Sequence, residues 1–203
     1  MSYGMVIDLR RCIGCNACTI ACKSSNGTPP GMFFSHVNIE ERGAYPHAVS
    51  VYTPVLCGHC DEASCVSVCP TGASWRDEDG VVQIDHDKCI GCKYCIAACP
   101  YGARSFLNEG IAGYFPEHGL TAQEQALYEG YEVGKVYKCD FCRSKGYTDA
   151  EGPSCVRTCP GDARVFGDVD DPESEIAKLL ATEQVYALGE EYGTHPRVWY
   201  IAR

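Results

Sequence analysis

CIGCKYCIAACPYGAR, residues 89–104, carries four cysteines, Cys89, Cys92, Cys95 and Cys99, with Pro100 directly after the last. The spacing C-x2-C-x2-C-x3-C-P is one by which a short loop and one helical turn present thiolates to a [4Fe-4S] cubane. The same cysteine spacing occurs at Cys12, Cys15, Cys18 and Cys22, where Lys23 stands in place of the proline. Two looser groups complete the set: Cys57, Cys60, Cys65 and Cys69 before Pro70, and Cys139, Cys142, Cys155 and Cys159 before Pro160. The four groups use all 16 cysteines of the 203-residue chain. Proline has no N–H and disfavours the α region for the residue before it, so it stops the helical turn that carries the last two cysteines. Lys23 changes how the chain leaves the first group but removes no ligand.

Two other chemistries consume cysteines in even numbers. Disulfides between residues so close in sequence would be strained. No secretion signal is read at MSYGMVIDLRRC either, because no apolar stretch follows Arg10 and Arg11. Zinc sites pair two short knuckles far apart in the chain. Only the last group, C-x2-C-x12-C-x3-C, comes near that pattern. Four [4Fe-4S] clusters, bound through iron by all sixteen cysteines, is the reading adopted. A formal net charge of −10 without a basic stripe argues against nucleic-acid binding. No run approaches the roughly 18–20 apolar residues of a membrane span. With so many cysteines given to metal, the chain leans on its clusters for stability. The cluster-free form is expected to be largely unfolded.

An internal repeat organises the chain. CPTGAS at 69–74, CPYGAR at 99–104 and CPGDAR at 159–164 match one another. MVIDL, VVQID and KVYK are strand-like and precede Cys12, Cys89 and Cys139. The unit reads strand, cluster loop, helical turn, Cys-Pro, strand. In two-cluster ferredoxins the fourth cysteine of each run binds the other cluster. The second and third groups lie 19 residues apart, whereas the flanking gaps are 34 and 39 residues. A hairpin of ASWR and VVQID with its turn at DEDG joins the two near groups. They read as one two-cluster unit, with the first and fourth groups pairing around it. The ligand sets are then Cys57, Cys60, Cys65 and Cys99; Cys89, Cys92, Cys95 and Cys69; Cys12, Cys15, Cys18 and Cys159; and Cys139, Cys142, Cys155 and Cys22. Pairing groups one with two and three with four is the alternative. The expected fold is α+β: two nested, loop-rich ferredoxin-like units with short strands and helices, held by clusters. One unit spans 1–30 plus 135–172 and the other 50–107. Residues 108–134 form an insertion, and 173–203 a helix and tail for partner contact.

Residues 24–50, rich in glycine and proline, read as an extended loop. Thr121 is a helix cap inside the insertion. Asp171 is expected to cap a helix over about 173–181, with Pro172 at its first position. The closing PRVWYI reads as a strand or extended segment, its Trp199–Tyr200 pair placed at an interface or on the chain's own body. His59 has two readings, a donor to a cluster sulfur or a solvated loop residue. Lys138, Arg143, Lys145, Arg157 and Arg164 gather near the fourth group, either stabilising a reduced cluster or as solvated charge. Tyr94, Tyr101 and Phe141 are expected to shield clusters from water. No GxSxG, P-loop or dinucleotide fingerprint occurs. Every ligand position is filled, so the chain by itself is expected to be non-catalytic.

MVIDLRRCIGCNACTIACK, LCGHC with CVSVCPTGA, CIGCKYCIAACPYGAR, KCDFC, the CVRTCPGDARVFGDVDDPES run and PRVWYI together resemble a known family across nearly the whole chain. It is similar to the four-cluster ferredoxin-like iron-sulfur subunits of dimethyl sulfoxide reductase-type molybdopterin oxidoreductases. The resemblance implies the nested pairing above. It implies a large catalytic partner holding molybdenum or tungsten on a bis-pterin, and no pterin in this chain. Electrons would pass along four clusters between that partner and an external donor, often a quinol-oxidising membrane subunit. The family also implies the outer face of the cytoplasmic membrane, reached with an exported partner; a cytoplasmic location is the alternative. A polyferredoxin-type subunit of a hydrogenase or formate-linked complex is the alternative function.

Overall fold

A computed structural model of the chain describes residues 1–147 and 152–203. In chain order the elements are β1 (Tyr3–Asp8), α1 (Ala17–Asn26), β2 (Ser35–Arg42), β3 (Val49–Leu56), α2 (Ser64–Ser67), β4 (Ser74–Arg76) and β5 (Val82–Ile84). There follow α3 (Tyr94–Ala97), β6 (Arg104–Phe106), α4 (Ala122–Tyr128), β7 (Val136–Lys138), α5 (Ser154–Arg157), β8 (Arg164–Asp168), α6 (Glu175–Thr182), β9 (Val185–Ala187) and β10 (Val198–Ile201). The result is a mixed helix and strand fold with small sheets.

One strand-pairing rule runs through the molecule. The strand that leaves one cysteine group pairs antiparallel with the strand that enters the next. β2 pairs with β3, β4 with β5, β6 with β7, and β8 returns to pair with β1. The last pairing closes the circuit and brings the first and fourth groups together. β1 also takes β10 on its other side in parallel register, giving a four-stranded sheet in the order β8-β1-β10-β9.

Because β1 is central, both its faces are covered, and the apolar run of its sequence is what that position needs. Side chains alternate across a strand. Tyr3, Met5, Ile7 and Leu9 enter the core that holds the cysteines, while Val6 faces Ile176 of α6 and Ile201. Met5, Val6 and Ile7 are fully enclosed, each worth roughly 1.5–3 kcal/mol. Tyr200 is buried and donates its hydroxyl to the Pro54 carbonyl at 2.8 Å. PRVWYI thus forms a strand built into the chain's own sheet. Trp199 packs against the cluster of apolar residues around Val6.

Two expectations need correction. Residues 24–50 are not one extended loop: α1 runs to Asn26, and β2 with the start of β3 makes a long hairpin. The first group has no proline after its last cysteine, so its helix continues past Cys22 and stops at Gly27, in the left-handed conformation at φ 61°. By contrast α2, α3 and α5, which precede Cys-Pro, end after four residues. The late helix starts at Glu175 with Ser174 as its cap, accepting from the Ala177 N–H at 3.1 Å. Asp171 instead accepts from Glu173 in the turn before it. Thr121 does cap α4, completing a reciprocal pair with Glu124.

Candidate metal centres

The loops carrying the cysteines depend on backbone that few side chains tolerate. Gly14 and Gly91 occupy the same place in the two Cys-Ile-Gly-Cys runs, at φ 70° and 69°. A Cβ at Gly91 would lie 2.1 Å from the Gly134 carbonyl oxygen, so glycine is required there on two counts. Asn16 and Lys93, each just before the helix of its run, are likewise left-handed.

The structure brings the thiols together across the groups. Cys12, Cys15, Cys18 and Cys159 line one cavity with Arg164. Cys69, Cys89, Cys92 and Cys95 line another with Arg104. Cys60 lies with Cys57, Cys65 and Cys99; burial pushes its thiol up to about 11, and those neighbours add to the rise against a hydrogen bond from Thr194. Cys139 lies with Cys22, Cys142 and Cys155, and burial followed by these neighbours raises it well above the ordinary thiol value. In the same quartet burial pushes Cys22 up to about 12. Cys139 also feels Cys57, so the last two quartets are neighbours. These two are the more deeply set, with Cys22, Cys57, Cys139, Cys142 and Cys155 all buried, whereas Cys15 and Cys92 in the other two are exposed.

Sulfur donors in fours, crowded and enclosed, fit iron-sulfur clusters: buried neutral thiols need no such gathering, and metal binding deprotonates them outright. Four ligands on one zinc ion would stand about 3.8 Å apart at a Zn–S distance of about 2.3 Å. Among the described residues no three His, Cys, Asp or Glu side chains converge as a single ion requires. The donors around the thiols fit as well. Backbone N–H groups of Ser74, Phe141 and Ala163 point at Cys69, Cys139 and Cys159 at 3.3–3.4 Å. The Asn26 amide donates to Cys22 at 3.4 Å.

His59 is not a solvated loop residue; it is 0% exposed. Its Nδ1 accepts from the Val82 N–H at 3.1 Å, which leaves the proton on Nε2, and Nε2 has no partner among the described residues. Burial, then Lys138, Arg104 and Arg197, hold its pKa well below the usual imidazole value. Its ring lies 3.9 Å from that of Phe141. His59 sits between Cys57 and Cys60, and Phe141 between Cys139 and Cys142, so this ring pair joins the two inner quartets.

The basic residues near the fourth group divide. Lys138 is buried, donating to the Val82 and Cys139 carbonyls. Arg164 is buried against Cys18. Arg143 pairs with Asp79 at the surface, and Lys145 and Arg157 are exposed. Phe141 is buried as expected, but Tyr94 is 62% exposed. Tyr101 is half-buried and shares a hydrogen bond with Thr194. Sequence reasoning missed Arg104, which is buried and donates to Cys65 at 3.0 Å. Its signal was available: Arg104 and Arg164 end the matching CPYGAR and CPGDAR stretches.

Comparison with known proteins agrees with this donor chemistry. Residues 11–73, 48–111 and 81–160 each match a 4Fe-4S dicluster domain, overlapping so that each consecutive pair of cysteine groups is covered. One subunit of the selenate reductase of Mesobacillus selenatarsenatis is 44% identical over 97% of this chain and 70% of its own length. The arsenate respiratory reductase iron-sulfur subunit of a Shewanella species is 39% identical over 99% of this chain and 96% of its own. The thiosulfate reductase electron transfer subunit of Salmonella typhi is 41% identical over 91% and 84%. The chain belongs to the family of iron-sulfur subunits of dimethyl sulfoxide reductase-type molybdopterin oxidoreductases. No helix of the described residues is long and apolar enough to cross a membrane.

Proposed function

We propose that this chain is the electron-transfer subunit of a molybdenum or tungsten pterin enzyme, holding four [4Fe-4S] clusters on the nested ligand sets. When bound, such clusters take up and give back one electron at a time. The residues hold them in a row. Cys69, Cys89, Cys92 and Cys95 form one end; Cys57, Cys60, Cys65 and Cys99 come next. Cys22, Cys139, Cys142 and Cys155 follow, and Cys12, Cys15, Cys18 and Cys159 form the other end.

The single observation that carries this reading is the gathering of the fourth cysteine of each run among the first three of another. The connections between quartets support the order. Arg104 donates to Cys65 and lines the cavity of Cys95, the His59–Phe141 rings join the inner two, and Arg164 donates to Cys18 with Cys155 within range of its charge. Exposure supports it too. Ile13 and Ile90, inside the end loops, are 64% and 67% exposed, which suits ends that meet redox partners. One partner would be the large pterin subunit and the other a quinol-oxidising membrane subunit or external donor. The chain's place would be the outer face of the cytoplasmic membrane, reached with its exported partner.

Anaerobic affinity purification from the native host tests the proposal. A large co-purifying chain with molybdenum or tungsten, and roughly sixteen iron per copy of this chain (four clusters of four), is the expected result. Iron at that level with a different redox partner would overturn the pterin assignment while leaving the relay.

A further inference from the structure

Two buried arginines repeat one arrangement in the two halves of the molecule. Arg104 opens β6, the strand that leaves the third cysteine group, and is 5% exposed. It donates through one guanidinium nitrogen to Ser74 Oγ at 2.8 Å and through the other to Cys65 Sγ at 3.0 Å. It also lines the cavity of Cys69, Cys89, Cys92 and Cys95. Arg164 opens β8, the strand that leaves the fourth group, and is 3% exposed. It donates to Ser35 Oγ at 3.1 Å and to Cys18 Sγ at 3.4 Å, and also reaches Met5 Sδ at 3.8 Å, with Cys155 within range of its charge. The serines correspond too. Ser74 opens β4, which leaves the second group, and Ser35 opens β2, which follows the first.

Neither guanidinium has a carboxylate partner among the described residues. A buried cation is costly unless negative charge is held against it. Here that charge is sulfur. Cys65 Sγ lies 3.0 Å from the Arg104 guanidinium and Cys18 Sγ 3.4 Å from that of Arg164, and a sulfur that ligates iron is a thiolate.

We propose that Arg104 and Arg164 are redox-positioning residues, each a fixed cation shared by two adjacent thiol quartets, raising the reduction potentials of both clusters and screening each from the charge of the other. This rests on the four-cluster reading above. Arg104 serves the quartets containing Cys65 and Cys95, and Arg164 those containing Cys18 and Cys155. An electron arriving from one neighbour and leaving to the next adds one negative charge for as long as it stays. In a low-dielectric interior a cation beside that charge favours the reduced form strongly. Arginine keeps its proton throughout, so no proton accompanies the electron and no bond in the side chain changes. Placed between two sites, one guanidinium also offsets the repulsion that a second electron on the adjacent site would meet.

Potentiometric titration followed by electron paramagnetic resonance, on the full chain in its native complex, tests this. The wild type comes first: fewer than four [4Fe-4S] signals would defeat the four-cluster reading, whatever the arginines do. With four present, Arg104→Gln is expected to lower two midpoints and leave two unchanged, and Arg164→Gln to lower the complementary two. The expected size is about a tenfold fall in the reduced-to-oxidised ratio at fixed potential, about 59 mV for a one-electron couple. Arg104→Lys and Arg164→Lys should keep most of the wild-type values. If the glutamine variants lose iron, Ser74→Ala and Ser35→Ala loosen each guanidinium without removing it and should give smaller falls in the same pairs. Full iron loading with unchanged midpoints, or a fall confined to one cluster, would overturn the proposal.

Discussion

At the residue scale the chemistry rests on cysteines whose neighbours in space are distant in sequence. Cys159 lies in the cavity with Cys12, Cys15 and Cys18, although about 140 residues separate it from them. The proposed nested ligand sets therefore predict which substitutions share a phenotype. Cys159→Ser and Cys15→Ser are expected to remove the same paramagnetic signal, while Cys99→Ser removes the one lost in Cys60→Ser. If Cys159→Ser instead matched Cys92→Ser, groups three and four would be the pair and the nested reading would fail. The residue types were legible in the sequence, because spacing alone marks a thiolate run. Direction was not. His59 between two ligands reads equally as solvent-facing or inward, and only the packing of Phe141 over its ring decides it. Arg104 shared its repeat position with Arg164, but nothing in either hexapeptide says that the side chain turns toward sulfur.

At the scale of elements, the strands before Cys12, Cys89 and Cys139 and the hairpin at DEDG were readable, since each is a short apolar run next to a turn signal. The long β2–β3 hairpin was not. Its sequence SHVNIEERGAYPHAVSVYTPVL mixes charges, glycine and prolines into a two-stranded ribbon with one exposed end, so little alternation marks it. The run of α1 past Cys22 shows what the prolines do elsewhere, as a single Lys23 lets the helix continue to Asn26. The loops themselves should be intolerant in a position-specific way. Gly72 and Gly91 are both left-handed, at φ 66° and 69°, but a Cβ at Gly72 meets nothing within 4 Å. Gly72→Ala should thus cost only the conformational penalty of about 1–2 kcal/mol. Gly91→Ala adds a collision with the Gly134 carbonyl and should release iron to a chelator markedly faster, as followed by loss of cluster absorbance. Equal rates in the two variants would contradict the close approach.

On the scale of the whole molecule, the circuit of hairpins places the sulfurs and cations where an ordinary domain would have its core. Cys18, Cys22, Cys57, Cys139 and Cys155 belong to the same buried cluster as Met5, Ile7 and Tyr200. Without iron, that core would contain crowded thiols and two guanidinium groups with no negative charge to hold them. Stripping iron under reducing conditions is expected to abolish the native far-ultraviolet circular dichroism; a spectrum that survives would mean that apolar packing alone sustains the fold. The same arrangement makes the central claim countable. Quantifying the spins of the fully reduced, iron-replete complex, with any signal of the partner subunit subtracted, tests it most directly. Four [4Fe-4S] spins per copy of this chain, with roughly sixteen iron atoms, is the predicted result. Fewer than four, with the remaining cysteines free to alkylation, would contradict the relay proposed for this chain.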